Sequence, residues 1–209
     1  SEGGVIEPDH NDGRWLRRDV YLPSIEVMLA RHEAGSTRGL TLAANAGHNA
    51  QSHNHNDVGS FMVFLDGRPL LIDLGVETYT SRTFSEDRYA IWTMQSCWHN
   101  LPTINGVAQA AGRVFAGTNV EHDAAGEKSR FAFGLAGAYP EEACVESWRR
   151  ELALDRAARR VALRERFRLS EVREPLVLNL ITPCDVEVMG PGRLRLQSAD
   201  LPGSRRTAA

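Results

Sequence analysis

Cysteine is scarce in this sequence: Cys97, Cys144 and Cys184 are odd in number and widely spaced, and no C-x-x-C pair occurs. This excludes a disulfide framework and a cysteine zinc knuckle, and three ordinary buried thiols are expected. Long apolar runs are also missing, and none approaches the roughly 20 residues of a membrane span. Charge of either sign is not in surplus. With 24 Lys and Arg against 27 Asp and Glu the net charge is -3, so the basic excess that draws a chain to nucleic acid or to a membrane surface is lacking, and neither partner is expected. The chain opens on Ser1 and shows no charged-then-apolar leader, which reads as a piece excised from something longer. Internal repeats, low-complexity tracts and runs of helical hairpins are likewise absent. The 209 residues suffice for one large domain or a sandwich with appendages, with a real core.

What remains is mostly strand-like. "SEGGVIEPDHNDG" (residues 1–13) reads as a flexible tail or linker, and residues 14–209 as one domain. "DVYLPSIEVMLAR" and "LTLAA" are apolar or alternating runs. In "FMVFLDGRPLLIDLG", Asp66-Gly67 separates two runs of β-forming residues and supplies the positive φ angles of a tight hairpin, as does Asn105-Gly106 in "LPTINGVAQ". "RFAFGLAGAY", "PLVLNLIT" and "GRLRLQS" complete the strands. From Trp148 to Leu169 the composition suits a helix, yet Val161, Leu163, Phe167 and Leu169 alternate with Arg164, Arg166 and Arg168. Period two predicts a long hairpin turning near Asp155 to Arg159. Its eight arginines read as a solvated face balanced by Glu146, Glu151 and Glu165, or as a grip for an acidic polymer. One short helix between Ser85 and Gln95 is the only α element expected. The fold class is therefore all-β, an antiparallel β-sandwich of stacked sheets with at most one short helix.

The chemistry concentrates in "GHNAQSHNHNDVGSF" (residues 47–61), which holds three histidines, three asparagines and an aspartate. An extended Ser52–Val58 would point His53, His55 and Asp57 to one face and Asn54 and Asn56 to the other. Two imidazoles on one face make a metal half-site suited to zinc, iron or copper, and a third ligand can come from another strand: Asp73, His99 or Asp57. Two His and one carboxylate would leave the fourth zinc position open. Calcium, which takes six to eight oxygen ligands, suits two imidazoles poorly.

Two families share parts of this pattern. Gly47 followed by five residues and His53-Asn54-His55 is similar to the opening of the cupin metal motif, which would make the chain a cupin-like metal-dependent enzyme. Gly59 and Ser60 stand where that motif has Glu, and no second cupin motif follows. A longer match runs through "VYLPSIEVMLAR", "SHNHNDVGSFMVFLDGRPLLIDLGVETYT" and "RYAIWTMQSCWHNLPTINGVAQ". Over roughly residues 19 to 183 the chain resembles the β-sandwich region of the heparinase II/III-like polysaccharide lyases.

This resemblance implies an N-terminal α/α toroid as partner, absent here, and an anionic, uronate-containing polysaccharide substrate in the cleft between the two parts, in the periplasm or outside the cell. It implies β-elimination, with His53 facing substrate as base or as carboxylate neutraliser, and His55, Asp73 and His99 around a structural zinc. Substrate contacts fall to His48, Tyr79, Tyr89 and Arg88. For each a plainer role stands beside the first: a loop hydrogen bond for His48, packing for the two tyrosines, and an ion pair with Glu86 or Asp87 for Arg88. Trp92 and Trp98 would stack on sugar rings or lie in the core, while His10 and His122 are expected to titrate freely. The alternative to a lyase is a carbohydrate-binding or purely structural sandwich stapled by zinc.

Overall fold

The computed structural model describes residues 15–75, 78 and 80–197. The expected linker, residues 1–13, lies outside the described residues, as do Tyr79 and His10. Fifteen strands are described: β1 (Asp19–Leu22), β2 (Val27–Arg31), β3 (Leu40–Asn45), β4 (His48–Asn49), β5 (Phe61–Leu65), β6 (Arg68–Leu71), β7 (Pro102–Thr103), β8 (Gly112–Ala116), β9 (Thr118–Ala125), β10 (Lys128–Gly134), β11 (Val145–Asp155), β12 (Arg160–Leu169), β13 (Val177–Leu178), β14 (Asp185–Gly190) and β15 (Arg193–Gln197). One sheet runs β1-β2-β3-β5-β6 and a second β12-β11-β10-β9, with the pairs β4-β8, β7-β13 and β14-β15 beside them. Every pairing is antiparallel.

Alternation along each strand aims one set of side chains into a shared interior. Met28, Leu42, Phe61 and Val63 from the first sheet meet Phe131, Phe133, Leu152 and Leu154 from the second in one buried cluster. This is a β-sandwich. Each large side chain so buried contributes about 1.5–3 kcal/mol, which is ample to define the faces. The β5–β6 hairpin turns at Asp66 (φ 50°) and Gly67 (φ 75°), and Asn105 (φ 52°) and Gly106 (φ 75°) close the bridge between Ile104 and Val107. Both are the two-residue turns whose twist matches the strands. The hairpin β11–β12 turns after Asp155, whose carboxylate accepts from the Ala158 N–H at 3.0 Å.

Four expectations change here. The short helix between Ser85 and Gln95 is instead a succession of 3-10 turns, Ser81–Phe84, Glu86–Ala90, Trp92–Met94 and Ser96–Trp98. Ser85 (ψ 174°), Ile91 (ψ 127°) and Gln95 (ψ 140°) are extended and interrupt any helical ladder. Among the eight hairpin arginines two are not solvated at all. Arg150 and Arg156 are buried, pairing with Glu165 and Asp19 at 2.5 Å each. His122 does not titrate freely: it stacks on Tyr21 at 4.9 Å between ring centroids, and burial lowers its pKa. All three cysteines are free and only half-buried.

Candidate active site and metal centre

The segment expected as a strand, Ser52–Val58, is a loop. Its polar side chains compete for the backbone and win. Asn49 Oδ1 accepts from the Asp57 N–H at 3.2 Å, Asn54 Nδ2 donates to the His55 carbonyl at 2.7 Å, and the Asn54 N–H reaches the Gln51 carbonyl at 3.3 Å. Gln109, on the far side, donates to the Val58 carbonyl at 2.8 Å and accepts from its N–H at 3.1 Å. His53 consequently sits in the left-handed region at φ 58°. Its side chain is exposed, whereas that of His55 is buried. Strand alternation therefore does not relate the two rings. Both nonetheless line one cavity of about 400 Å³, together with Asn45, Asn54, Asp57 and Asp73. His53 meets the exposed Phe84 ring edge-on at 6.2 Å.

Behind His53 three predicted ligands converge. One ligand atom each of His55, Asp73 and His99 lies within 4.8 Å of the others. Asp73 arrives from just beyond β6, and His99 from the end of the last 3-10 turn. His99 Nδ1 is 2.5 Å from Asp73 Oδ1, while its Nε2 lies 3.1 Å from the Thr93 carbonyl and 3.3 Å from His55 Nδ1. A carboxylate and a carbonyl only accept, so metal-free His99 donates from both nitrogens. Burial opposes that charge, and the Asp73 hydrogen bond and carboxylate, with Asp57, outweigh it, leaving the pKa raised. His55 is the neutral acceptor: burial first, then the charge on His99, lowers its pKa to about 4. Asp57 is pushed up to about 7 by burial and by Asp73.

This donor set fits zinc. Two imidazole nitrogens bound at about 2.0–2.1 Å on a tetrahedral ion lie roughly 3.3–3.4 Å apart, and His55 Nδ1 and His99 Nε2 stand at 3.3 Å. An ion there would take the place of the proton now shared between them. Asp73, whose Oδ1 holds the other nitrogen of that ring, orients His99 as carboxylates do behind zinc-bound histidines, and becomes a third ligand only if that contact is exchanged for the ion.

The other predicted residues fall around this centre. Arg88 spends its guanidinium on carbonyls, with Nη2 at 2.6 Å from Asn54 O and Nη1 at 3.2 Å from Thr83 O. The Tyr89 hydroxyl donates to Asn54 Oδ1 at 3.1 Å. Both residues thus grip the loop that presents His53. His48 is not a lining residue of the cavity; it lies in β4, and its Nδ1 accepts from the Ala50 N–H at 3.2 Å. Trp92 and Trp98 form an edge-on pair at 4.9 Å and are each about two-fifths exposed, 42% and 43%, so neither is core.

Residues 22–190 match the family model for the heparinase II/III-like C-terminal region. This chain belongs to the heparinase II/III-like family. Among solved structures, the heparan sulfate lyase HepC from Pedobacter heparinus superposes with a TM-score of 0.52 at 15% identity, covering 66% of this chain and 20% of that one. Heparinase III superposes with a TM-score of 0.54 at 18% identity, over 78% and 25%. The chain thus spans a fifth to a quarter of the length of these lyases, and at such identity the likeness shows the fold. No curated protein matches the sequence. The cupin likeness does not extend past its first motif, since both large sheets of this heparinase II/III-like domain run in open order from edge to edge.

Sequence reasoning missed the polar residues that hold the histidine-bearing loops in place: Arg150, Asn100, Gln109 and Asn49. For Arg150 a signal existed. It shares alternation phase with Trp148, Leu152 and Leu154, all buried. Glu165 likewise shares phase with Leu163 and Phe167 on the partner strand.

Proposed function

We propose that this chain is the β-sandwich part of a polysaccharide lyase that cleaves uronate-containing anionic glycans by β-elimination, in the periplasm or outside the cell. The observation that carries this reading is the division between the two histidines: His53 is exposed on the cavity wall, and His55 is buried in the ligand cluster behind it. In the reaction a base takes the C5 proton, the C–H electron pair forms the C4–C5 double bond, and the C4–O4 bond breaks as an acid protonates the departing oxygen; no water is consumed. His53 serves as that base, or pairs with the substrate carboxylate so that negative charge developing at C5 is tolerated. Arg88 and Tyr89, through Asn54, set where its imidazole stands. Zinc on His55, His99 and Asp73 would supply positive charge beside a cavity that also holds Asp57. The remaining catalytic groups belong to an α/α toroid partner across the cleft.

A second reading, a stapled carbohydrate-binding sandwich without chemistry, draws on the complete burial of His99. One experiment separates them. In a longer protein carrying toroid and sandwich, turnover of a panel of uronate glycans is followed by the ultraviolet absorbance of the unsaturated product. His53→Ala should abolish elimination while zinc content is kept. Undiminished turnover by that variant would refute the role given to His53.

A further inference from the structure

Arg150 is wholly buried, a costly place for a guanidinium unless every donor is used. Nε and Nη2 lie 2.8 and 2.5 Å from the same Glu165 oxygen, and the other oxygen of Glu165 accepts from Trp148 Nε1 at 2.7 Å. Its Nη1 is spent differently, on two main-chain carbonyls outside its own sheet: Gly59 O at 2.7 Å and Asn100 O at 2.8 Å. Asn100 carries the pattern onward. Its Nδ2 donates to Phe61 O at 2.6 Å and Ile72 O at 2.9 Å, and its Oδ1 accepts from the Ile181 N–H at 2.7 Å.

The acceptors are the telling feature. Ile72 precedes Asp73, Asn100 follows His99, and Gly59 stands just past the loop 52–58 that carries His55. These three segments come from separate places in the chain, and no strand pairing joins the three ligands to one another. Arg150 thus holds the chain just after His99 and the end of the His55 loop, and Asn100 holds the chain just before Asp73, so that one polar network spans all three ligand-bearing segments. We infer that Arg150, fixed by Glu165 and extended by Asn100, is a positioning residue that sets the spacing of His55, Asp73 and His99 before any ion arrives. The inference rests on the metal site proposed above. Outer-shell partners of this kind change metal affinity by about 10- to 100-fold when lost.

The test uses Co²⁺ alone as probe on the 209-residue chain, with affinity measured by chelator competition and geometry by the visible d–d spectrum. Arg150→Lys keeps the charge but loses the fork, and Glu165→Gln keeps an acceptor but releases the guanidinium; the second carries the test should the first not fold. Leu154→Val, a core change at the far end of β11, serves as a control for destabilisation alone. Expected is a Co²⁺ affinity about 10- to 100-fold weaker in the two network variants, with a shifted spectrum, and wild-type affinity in Leu154→Val despite its lower melting temperature. Wild-type protein that binds no Co²⁺ overturns the site itself and the inference with it. Wild-type binding with unchanged affinity and spectrum in both network variants overturns the inference and leaves the site standing, as does equal weakening in Leu154→Val.

Discussion

Replacing one histidine of the H-x-H pair at a time separates a metal ligand from a group that faces substrate. His55 Nδ1 lies 3.3 Å from His99 Nε2 and its ring is buried, whereas His53 is exposed on the cavity wall. An ion that binds only the folded chain stabilises it by about 2.7 kcal/mol when free zinc is a hundredfold above the dissociation constant. For a domain of this size each kcal/mol moves the melting temperature about 2–4 °C, so zinc should raise it by about 5–11 °C. In wild type and His53→Ala that rise should be intact; in His55→Ala and His99→Ala it should be near zero.

The comparison is made within each variant, with and without zinc, so that the cavity left by a deleted ring cancels. It also belongs near pH 7.5. His55 has its folded-state pKa lowered from 6.5 to about 4, so its unfolded form binds the extra proton: stability is lost as pH falls through that window, and His55 has no such effect above about pH 7. Scanning calorimetry with elemental analysis of the same samples provides the assay. If His53→Ala loses zinc and its melting increment as readily as His55→Ala, both are ligands and the division between them is wrong.

Three further outcomes follow from the same geometry. The 209-residue chain alone should cleave no uronate polysaccharide, since positioned groups from across the cleft are worth several powers of ten in rate; robust turnover free of contaminating lyase would show that the catalytic set is complete in the sandwich. Asp57→Asn should stabilise the metal-free chain at pH 8 and leave it unchanged near pH 3. The folded pKa of Asp57 is raised from 3.8 to about 7, so its ionisation costs stability progressively as pH rises through that window, by a few kcal/mol at most; denaturant melts at the two pH values check the sign. Gly59→Ala should destabilise the fold by about 2–4 kcal/mol, because Gly59 sits at φ 91° and an added Cβ would lie 2.8 Å from Leu135 Cδ1; a wild-type urea midpoint would contradict this.

Much of the sandwich was legible because the signals were local. Asp66-Gly67 and Asn105-Gly106 demand positive φ, and the alternation from Val161 to Leu169 outvoted helical composition. The strands β8 and β9 escaped notice: from Gly112 to Ala125 the residues are largely half-buried or exposed, so no apolar face marks the period. The candidate site was legible in its donors and not in its backbone. Periodicity made a strand of Ser52–Val58, but Asn49, Asn54 and Gln109 supply hydrogen bonds that no strand pairing offers there. The same blindness hid Arg150. Counting arginines assigned it to solvent, whereas its phase with Trp148, Leu152 and Leu154 assigned it to the interior.

That misplaced arginine bears on how a sandwich can carry a site at its edge at all. Apolar burial fixes β2, β3, β5, β10 and β11, but the loops bearing His53, His55, Asp73 and His99 contribute little to that core. Gly59 and Val58 are the points where the His55 loop touches it, Gly59 against Leu135 and Phe133. Main-chain groups in such loops that find no main-chain partner must then be satisfied by side chains. Gln109, Asn49, Asn100 and Arg150 do so from four different segments, and each is buried. An unsatisfied buried polar group costs about 1–3 kcal/mol, so a loop shifted by even one register would lose several partners at once. The polar shell therefore selects a single loop conformation far more sharply than apolar packing could, which is what a preset cluster of ligands behind an exposed imidazole requires.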